Sequence, residues 1–249
     1  MDKQYYIEYY KYEREHWFFL ARNFILMQHL KKQIGKSNSI KILNIGIATG
    51  KTSELLSEFG EVKSVEFDEA CFNFTKEKVP QLDLIQGSIL ELPFEDNQFD
   101  LVCAFDVIEH VKDDELAVSE MKRVCKKKGM VFVSVPAYKF LWSDHDVINM
   151  HERRYTRSML VKLFKEDGKI IFRSYFNFWL FLPILLYRKV VSPFVSNDSE
   201  QVAKDFNVTG NSNLVHKILL KLFKSESSIM NRGVSFPFGV SLLLSWRNQ

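Results

Sequence analysis

Residues 45–52 read IGIATGKT, and this short stretch decides between two folds. Its last letters, GKT, are typical of a loop that binds nucleotide phosphates, but that loop requires a glycine at position 45, where this chain has Ile45. The spacing of Gly46, Ala48 and Gly50 instead favours a strand that turns sharply into a helix. Small residues at such a turn let the backbone approach a ligand closely.

Apolar and β-branched runs alternate with helical patterns along the chain, which predicts a parallel sheet wound by helices. We expect strands at residues 41–46, 61–67, 82–88, 99–106, 130–136, 169–176 and 239–246. We expect helices at residues 14–33, 52–59, 69–78, 113–124, 157–168 and 214–224. Gly129 is expected to cap the helix that begins at Asp113, because glycine commonly follows the last turn of a helix.

The composition is that of a globular protein with a sizeable core: 249 residues, 46% hydrophobic and 26% charged. The net charge of +3 is too small to indicate a nucleic-acid partner. The 3 cysteines are widely spaced and form neither a disulfide framework nor a metal pattern, which favours a reducing compartment. The first residues lack the apolar core of a signal peptide, so a cytoplasmic location is expected.

The longest apolar stretch is YFNFWLFLPILLY, residues 175–187. It is shorter than the roughly 20 residues that a membrane-spanning helix needs, and it contains Pro183. We expect a helix that begins at Phe176, either in the core or at a lipid interface with Arg188 and Lys189 as a basic flank.

In an open α/β sheet, ligands bind beyond the carboxyl ends of the strands. The first predicted strand delivers the glycine loop to that edge, and the second ends at Glu66. The separation between Gly46 and Glu66 is that expected of an acid that accepts both hydroxyls of a ribose. The loop and the acid together predict a cofactor that contains a nucleoside.

Several motifs together resemble the class I S-adenosylmethionine-dependent methyltransferases. The first is ILNIGIATGKTSELL at residues 42–56, the second is VEFDEA at residues 65–70, and the third extends from the predicted third strand to the fifth at residues 87–136. Residues 136–156 (PAYKFLWSDHDVINMHERRYT) and 237–244 (PFGVSLLL) are similar to a bacterial subgroup of small-molecule and glycan-associated methyltransferases, whose substrates are mostly unassigned.

The resemblance covers nearly the whole chain and implies a fold. The expected architecture is a doubly wound, Rossmann-like α/β domain with seven strands in the order 3-2-1-4-5-7-6, the last strand antiparallel, and helices on both faces. Residues 1–249 would form this single domain. Residues 1–36 would add an N-terminal helical cap, and residues 177–236 a helical insertion with a mobile segment near 195–213.

The resemblance also implies transfer of a methyl group from S-adenosylmethionine, leaving S-adenosylhomocysteine. The implied cofactor residues are Gly46, Ala48 and Gly50 in the loop, Glu66 at the ribose, Phe67, Ser88 and Ile89 around the adenine, and Asp106 and Arg22 at the methionine end. The acceptor would be a small molecule or a lipid- or glycan-linked intermediate.

Two departures from the family pattern leave alternatives open. Asn44 stands where the family usually has an acid before the first glycine, and Ser88 stands where an aspartate usually meets the adenine. A catalytically weak protein that keeps the cofactor fold is therefore one alternative. A phosphate-binding loop protein is a second alternative, favoured by GKT and by LVCAFD at residues 101–106, which is similar to the acidic strand of nucleotide-hydrolysing proteins.

The acceptor side is expected in the polar loop that follows the fifth strand. His110, His145 and His151 are candidate bases, since histidine titrates near neutral pH. The candidate acceptor-binding residues are Trp142, Arg153, Arg154 and Tyr155, with the arginine pair suited to a phosphate or carboxylate. The nearby aromatic stretch favours an amphipathic acceptor and peripheral contact with a membrane.

The stretch DVIEH raises the question of a metal. Asp106, Glu109 and His110 have the spacing of ligands on one helical turn. Residue identity alone is weak evidence for a metal. We therefore favour a helix cap and a pocket residue over a divalent cation, and predict no metal site from the sequence.

Overall fold

In the residues that this computed structural model describes (3–35, 39–191 and 213–249), seven strands form one mixed sheet. They are β1 (Ile40–Ile45), β2 (Gly60–Glu66), β3 (Asp83–Gln86), β4 (Phe99–Phe105), β5 (Cys125–Pro136), β6 (Gly168–Phe176) and β7 (Ser241–Asn248). Their order is β3-β2-β1-β4-β5-β7-β6, and β7 runs antiparallel to both of its neighbours. The strand order and the antiparallel last strand that the resemblance implied are confirmed.

The centre of the sheet is buried on both faces. Every residue from Leu101 to Phe105 in β4 and from Met130 to Pro136 in β5 is buried. Because successive side chains of a strand point to opposite faces, such continuous burial requires a cover on each face. This arrangement is the expected doubly wound architecture.

The covering α-helices are α1 (Lys3–Glu15), α2 (Trp17–Ile34), α3 (Lys51–Leu56), α4 (Glu69–Lys78), α5 (Asp114–Val124), α6 (Asp144–Ile148), α7 (Arg157–Leu163), α8 (Phe181–Leu186) and α9 (Asn213–Met230). The predicted N-terminal cap consists of α1 and α2 rather than one helix over residues 14–33. The chain breaks at His16, whose backbone is extended and whose ring accepts the N–H of Phe18 as an N-cap. α2 packs against α9.

Gly129 does not cap a helix, contrary to the sequence prediction. α5 ends at Val124, and β5 begins at the next residue. The pairing of β4 with β5 shifts register between Phe99 and Leu101, and Lys128 has a positive φ of 65°. The basic residues before Gly129 therefore belong to a bulged strand start, a pairing that the local sequence does not reveal.

The predicted aromatic helix is divided between a strand, a turn and a short helix. Tyr175 and Phe176 end β6, Asn177 has a positive φ of 56°, and helical structure resumes only in α8. The expected helical insertion over residues 177–236 contains α8 and α9. Apart from Asn213, the segment predicted to be mobile lies outside the described residues.

A buried carboxyl on α9 holds the turn that precedes α8. Glu226 is fully buried, and its Oε1 accepts the backbone N–H groups of Phe178 at 2.8 Å and Trp179 at 3.2 Å. Burial raises the pKa of the Glu226 carboxyl from 4.5 to about 7, although the backbone N–H groups oppose the shift. The turn therefore owes its shape to a residue almost fifty positions away.

Replacing Glu226 with Gln should flatten the pH dependence of stability. A carboxyl whose pKa is raised in the folded protein gains a proton on folding, so its ionisation lowers stability as the pH rises from 4.5 to about 7. Between pH 5 and pH 8, the wild-type protein should lose about 2 to 3 kcal/mol more unfolding free energy than Glu226→Gln. Urea denaturation at both pH values measures this, with the exposed Glu58→Gln as control. The same pH dependence in wild type and Glu226→Gln would contradict the raised pKa.

Candidate active site

The loop after β1 can form only with glycine at its first position. Gly46 has a φ of 65°, and a Cβ added there would lie 2.5 Å from Cγ2 of Val107, beyond the end of β4. The loop then turns into α3 through Gly50, which has a φ of 87°. Both positions favour glycine for its backbone freedom, and Gly46 also brings the loop against the residue that follows Asp106.

Glu66, at the end of β2, holds this loop through hydrogen bonds to its carboxylate. Its oxygens accept the backbone N–H groups of Ala48 at 3.0 Å, Phe67 at 3.0 Å and Asp68 at 3.1 Å. Burial raises the pKa of Glu66, and these N–H groups oppose the shift. A carboxylate offers about four lone-pair positions, so the three bonds leave room for one further donor.

Asp106, just after β4, is bound to the N-terminal helices by an ion pair. It has a positive φ of 57°, and its Oδ2 accepts Nε of Arg22 at 2.8 Å and lies 2.5 Å from Nη2. Arg22 is buried, whereas about a third of the Asp106 side chain (36%) is exposed. The pair thus leaves the acid accessible from the open side of the sheet edge.

A cavity of about 360 Å³ begins at Asp106 and extends between the N-terminal helices and α8. Most of its wall is aromatic or aliphatic, with contributions from Tyr9, Trp17, Phe18, Phe19, Leu180, Pro183, Ile184 and Leu219. One group of polar side chains in the lining surrounds His151: Glu109, His110, His145, Asn149 and Arg154. His16, Asn177, Arg188 and Ser241 are further polar residues of the lining. The cavity is therefore a largely apolar chamber with a polar end beside Asp106.

The polar end contains a buried carboxyl and two imidazoles. One ligand-type atom each from Glu109, His110 and His151 lies within 4.8 Å of the other two. Burial raises the pKa of Glu109 well above its usual range, and the charge of Asp106 adds to the shift. Burial and the nearby His151 lower the pKa of His110 to about 4. The uncharged forms of Glu109 and His110 are therefore favoured. The cluster places carboxyl oxygens and ring nitrogens close together in poorly solvated surroundings.

His151 is oriented by a buried carboxylate that an arginine also binds. Nδ1 of His151 lies 2.8 Å from Oδ1 of Asp146, and Arg154 donates to both oxygens of Asp146 at 2.7 and 3.0 Å. Burial would raise the pKa of Asp146, but the hydrogen bonds from His151 and Arg154 outweigh it and hold that pKa well below its usual range. The remaining ring nitrogen, Nε2, is thus the one left for a ligand in the cavity.

Sequence comparison supplies two matches. A family model described as a methyltransferase domain matches residues 43–133. A demethylmenaquinone methyltransferase from Staphylococcus aureus is 30% identical over 167 residues, which is 61% of this chain and 66% of that protein. The chain thus spans just under two thirds of the length of the curated relative.

Solved methyltransferase structures share the fold. A geranyl diphosphate methyltransferase in complex with S-adenosylmethionine matches with a TM-score of 0.61 and 12% identity, over 92% of this chain and 85% of that one. A Haemonchus contortus phosphoethanolamine N-methyltransferase in complex with S-adenosylhomocysteine matches with a TM-score of 0.55 and 19% identity, over 91% of this chain and 52% of that one. Residues 43–133 thus match a methyltransferase domain, and the chain has the fold of solved methyltransferases.

The predicted cofactor residues of this protein collect in two groups. Gly46, Ala48 and Glu66 form the loop and its anchor, and Arg22 is paired with Asp106 instead of having its guanidinium open for a cofactor carboxylate. The residues expected around the adenine differ in exposure: Phe67 is 74% exposed, Ile89 is buried, and Ser88 accepts the N–H of Leu90. Their contacts with the cofactor stay a prediction.

Asn44 has a structural reason to differ from the acid that is usual in the family. Its Nδ2 donates to the hydroxyls of Thr52 and Ser53, both at 2.9 Å, and the side chain is buried. An aspartate could not donate these hydrogen bonds. Position 44 thus fixes the first turn of α3 to β1, and Lys51 pairs with Glu54 rather than remaining free for a phosphate.

The structure brings only part of the predicted acceptor set to the cavity. His110, His145, His151 and Arg154 line it. Trp142, Arg153 and Tyr155 are absent from the described lining. Arg153 forms an ion pair with Asp114 at 2.8 Å, and Tyr155 is fully buried with its hydroxyl 2.7 Å from the same acid. Arg154 is held by Asp146, so the expected arginine pair does not present two free cations to an acceptor.

Sequence reasoning missed the residues that shape the acceptor side. Asp146 lies in a polar loop without periodicity, so nothing in the sequence distinguished it from a surface acid. The aromatic wall from Trp17 to Phe19 did carry a signal, because three consecutive aromatic or large residues follow a charged segment. The hydrophobic pattern alone does not distinguish a helix whose aromatic residues line a cavity from a helix buried in the core.

Replacing Glu66 with Gln should weaken the binding of S-adenosylhomocysteine by about 1.5–3 kcal/mol, the range for hydrogen bonds to a charged group. The amide loses the charge and replaces one acceptor oxygen with a donor. Isothermal titration calorimetry measures the affinity, with the exposed Glu69→Gln at the start of α4 as control. Wild-type affinity in a folded Glu66→Gln protein would show that Glu66 supports the loop without contacting the cofactor.

Proposed function

We propose that this protein transfers a methyl group from S-adenosylmethionine to a small acceptor with a largely apolar body. The observation that carries the proposal is the cavity, which starts at Asp106 beside the predicted cofactor loop and is walled by aromatic and aliphatic side chains. A polar metabolite would not match such a wall, whereas an apolar acceptor gains free energy by leaving water. The name of the Staphylococcus aureus relative, a demethylmenaquinone methyltransferase, supports the same class of acceptor.

Methyl transfer depends mainly on the alignment of the acceptor atom with the methyl group of the cofactor. The sulfonium of the cofactor is a good leaving group, so the protein has to hold the acceptor atom in line with the methyl group and exclude water. An acceptor hydroxyl also has to lose its proton, and the polar end of the cavity is where that hydroxyl would lie. Of the three histidines predicted as bases, His151 is the best oriented, because Asp146 fixes its ring.

The acceptor need not be anionic. The sequence favoured a phosphate or carboxylate because of Arg153 and Arg154, but both side chains are paired with buried or half-buried acids. Arg188 also lines the cavity, and it donates to the backbone carbonyl of Leu141. A neutral polar head on an apolar body, such as a phenolic or quinol ring, fits these charges better than a sugar phosphate does.

Apolar side chains also surround the cavity on the outer surface of α8 and α9. Leu182 and Leu186 on α8 are 59% and 60% exposed, and Ile218 on α9 is 55% exposed. The exposed Lys217 and Lys221 lie on the same helix as Ile218. Along the described ranges, no helix is long and apolar enough to span a bilayer. We therefore propose peripheral contact with an anionic membrane, from which an apolar acceptor would enter the cavity.

Purified protein should bind S-adenosylhomocysteine and methylate a lipid-soluble acceptor. Ligand at a hundredfold excess over Kd should raise the melting temperature by about 5–10 °C. With radiolabelled S-adenosylmethionine and a cell extract, the label should enter the organic-solvent fraction. Heat-denatured protein is the control. Absence of a melting shift would contradict the cofactor assignment, and label found only in the aqueous fraction would contradict an apolar acceptor.

Vesicles that contain anionic lipid should retain the protein at low salt and release it at high salt. Reversing both charges, in Lys217→Glu/Lys221→Glu, should weaken vesicle binding roughly tenfold or more, since each basic residue near such a surface contributes about 1 kcal/mol. The control is Lys165→Glu, an exposed lysine outside α8 and α9. Co-sedimentation measures the bound fraction. Equal binding of the double variant and the control would exclude α9 as the contact surface.

A further inference from the structure

Glu109 has an environment that its fold does not explain. The side chain is fully buried, it lines the cavity, and neither carboxylate oxygen meets a hydrogen-bond partner on another described residue. A buried carboxyl without partners is unfavourable, and such groups in native proteins usually meet water, a ligand or an ion. Glu109 therefore indicates a ligand that completes its contacts from the cavity side.

The neighbours of Glu109 are two imidazoles that do not satisfy it. His110 and His151 face each other edge to face with their ring centroids 4.6 Å apart, and ligand-type atoms of all three side chains fall within 4.8 Å of one another. In this part of the chain, no hydrogen bond joins Glu109 to either ring. A proton relay would require such bonds, whereas three converging lone pairs suit a cation placed between them.

We propose that Glu109, His110 and His151 bind one divalent cation of the first transition series. Two imidazoles and one carboxylate form a donor set that suits zinc, cobalt or iron, whereas magnesium prefers oxygen ligands alone. Three protein ligands leave coordination positions open toward the cavity. The Asp106 carboxylate is not needed for the site, because it is paired with Arg22.

The outer partners of both histidines match those of metal ligands. A histidine that binds a metal through one nitrogen usually donates the other N–H to a carboxylate or a backbone carbonyl. Nδ1 of His151 lies 2.8 Å from Asp146, which Arg154 fixes in turn. His110 forms its hydrogen bond with the backbone of Asn149. Both rings are thus fixed before a cation arrives, which reduces the ordering that binding requires.

This inference deepens the proposed function and rests on it for the position of the acceptor. An acceptor hydroxyl at an open coordination position would have a lowered pKa and would release its proton to solvent. The resulting oxygen would form a bond to the methyl carbon as the carbon–sulfur bond breaks, and the bonding pair would stay on sulfur in S-adenosylhomocysteine. His151 would then act as a ligand rather than as a free base.

Cobalt binding tests the site directly. Protein stripped with a chelator and dialysed should bind one Co²⁺ per chain, seen as visible absorption that saturates at one equivalent. Glu109→Gln and His151→Asn should each weaken binding by at least 10- to 100-fold, and Asp146→Asn, which acts through His151, by about 10- to 100-fold. His145→Asn is the control for cation binding, since it lines the same cavity outside the cluster.

The variants also separate this inference from the proposed function. Glu109→Gln should still show the melting shift with S-adenosylhomocysteine, because that residue lies on the acceptor side of Asp106. This shift also verifies that the variant is folded. Absence of stoichiometric Co²⁺ binding by the wild-type protein, or binding by Glu109→Gln and His151→Asn as tight as that of the wild type, would overturn the site. If the wild-type protein shows no melting shift with S-adenosylhomocysteine but does bind Co²⁺, the methyl-transfer proposal is contradicted and the cation site is not.

Discussion

The ion pair between Arg22 and Asp106 joins the N-terminal helices to the carboxyl edge of the sheet, and both halves of the site depend on it. Asp106 follows β4 directly in a left-handed conformation, next to the glycine loop. Arg22 belongs to the helix that supplies Trp17, Phe18 and Phe19 to the cavity. Removing Asp106 would leave the buried guanidinium of Arg22 without its charge partner, which is unfavourable. This one contact therefore fixes the position of the aromatic wall of the cavity relative to the carboxyl edge of the sheet.

α1 adds a second tie between the helical cap and the loop. Thr49 of the loop donates to the buried Glu13, and Arg14 reaches the Thr49 carbonyl at 3.3 Å and Glu54 at 2.6 Å. The loop is thus held both by Glu66 at the end of β2 and by α1. The N-terminal helices thus line the cavity and also stabilise the glycine loop, so they belong to the candidate site rather than to the periphery.

The sequence predicted what depends on local pattern and failed where a distant partner decides. The alternation of strands and helices, the turn at Gly46 and the position of Glu66 at the end of the second strand follow from periodicity and spacing, and the structure has them in place. That Glu66 holds the loop through Ala48 is a contact that the sequence did not predict. The pattern of the aromatic stretch predicted a helix that begins at Phe176. Instead, the backbone N–H groups of Phe178 and Trp179 donate to Glu226, which holds a turn at this position. The sequence likewise predicted Arg154 to be free for an acceptor, because nothing in the local pattern indicates that Asp146 is its partner.

Buried acids alone do not identify a functional site in this protein, and their partners supply the distinction. Glu13, Glu66 and Asp146 each accept hydrogen bonds from backbone or side-chain groups that hold a loop or a ring. Glu226 is equally buried and has a raised pKa, but its Oε1 accepts two backbone N–H groups and so has a structural task. Glu109 differs from all of these, because neither of its oxygens meets a hydrogen-bond partner on another described residue and it lines the cavity beside two imidazoles. Such a buried carboxyl usually meets water, a ligand or an ion, which supports the cation that we propose at the polar end of the cavity.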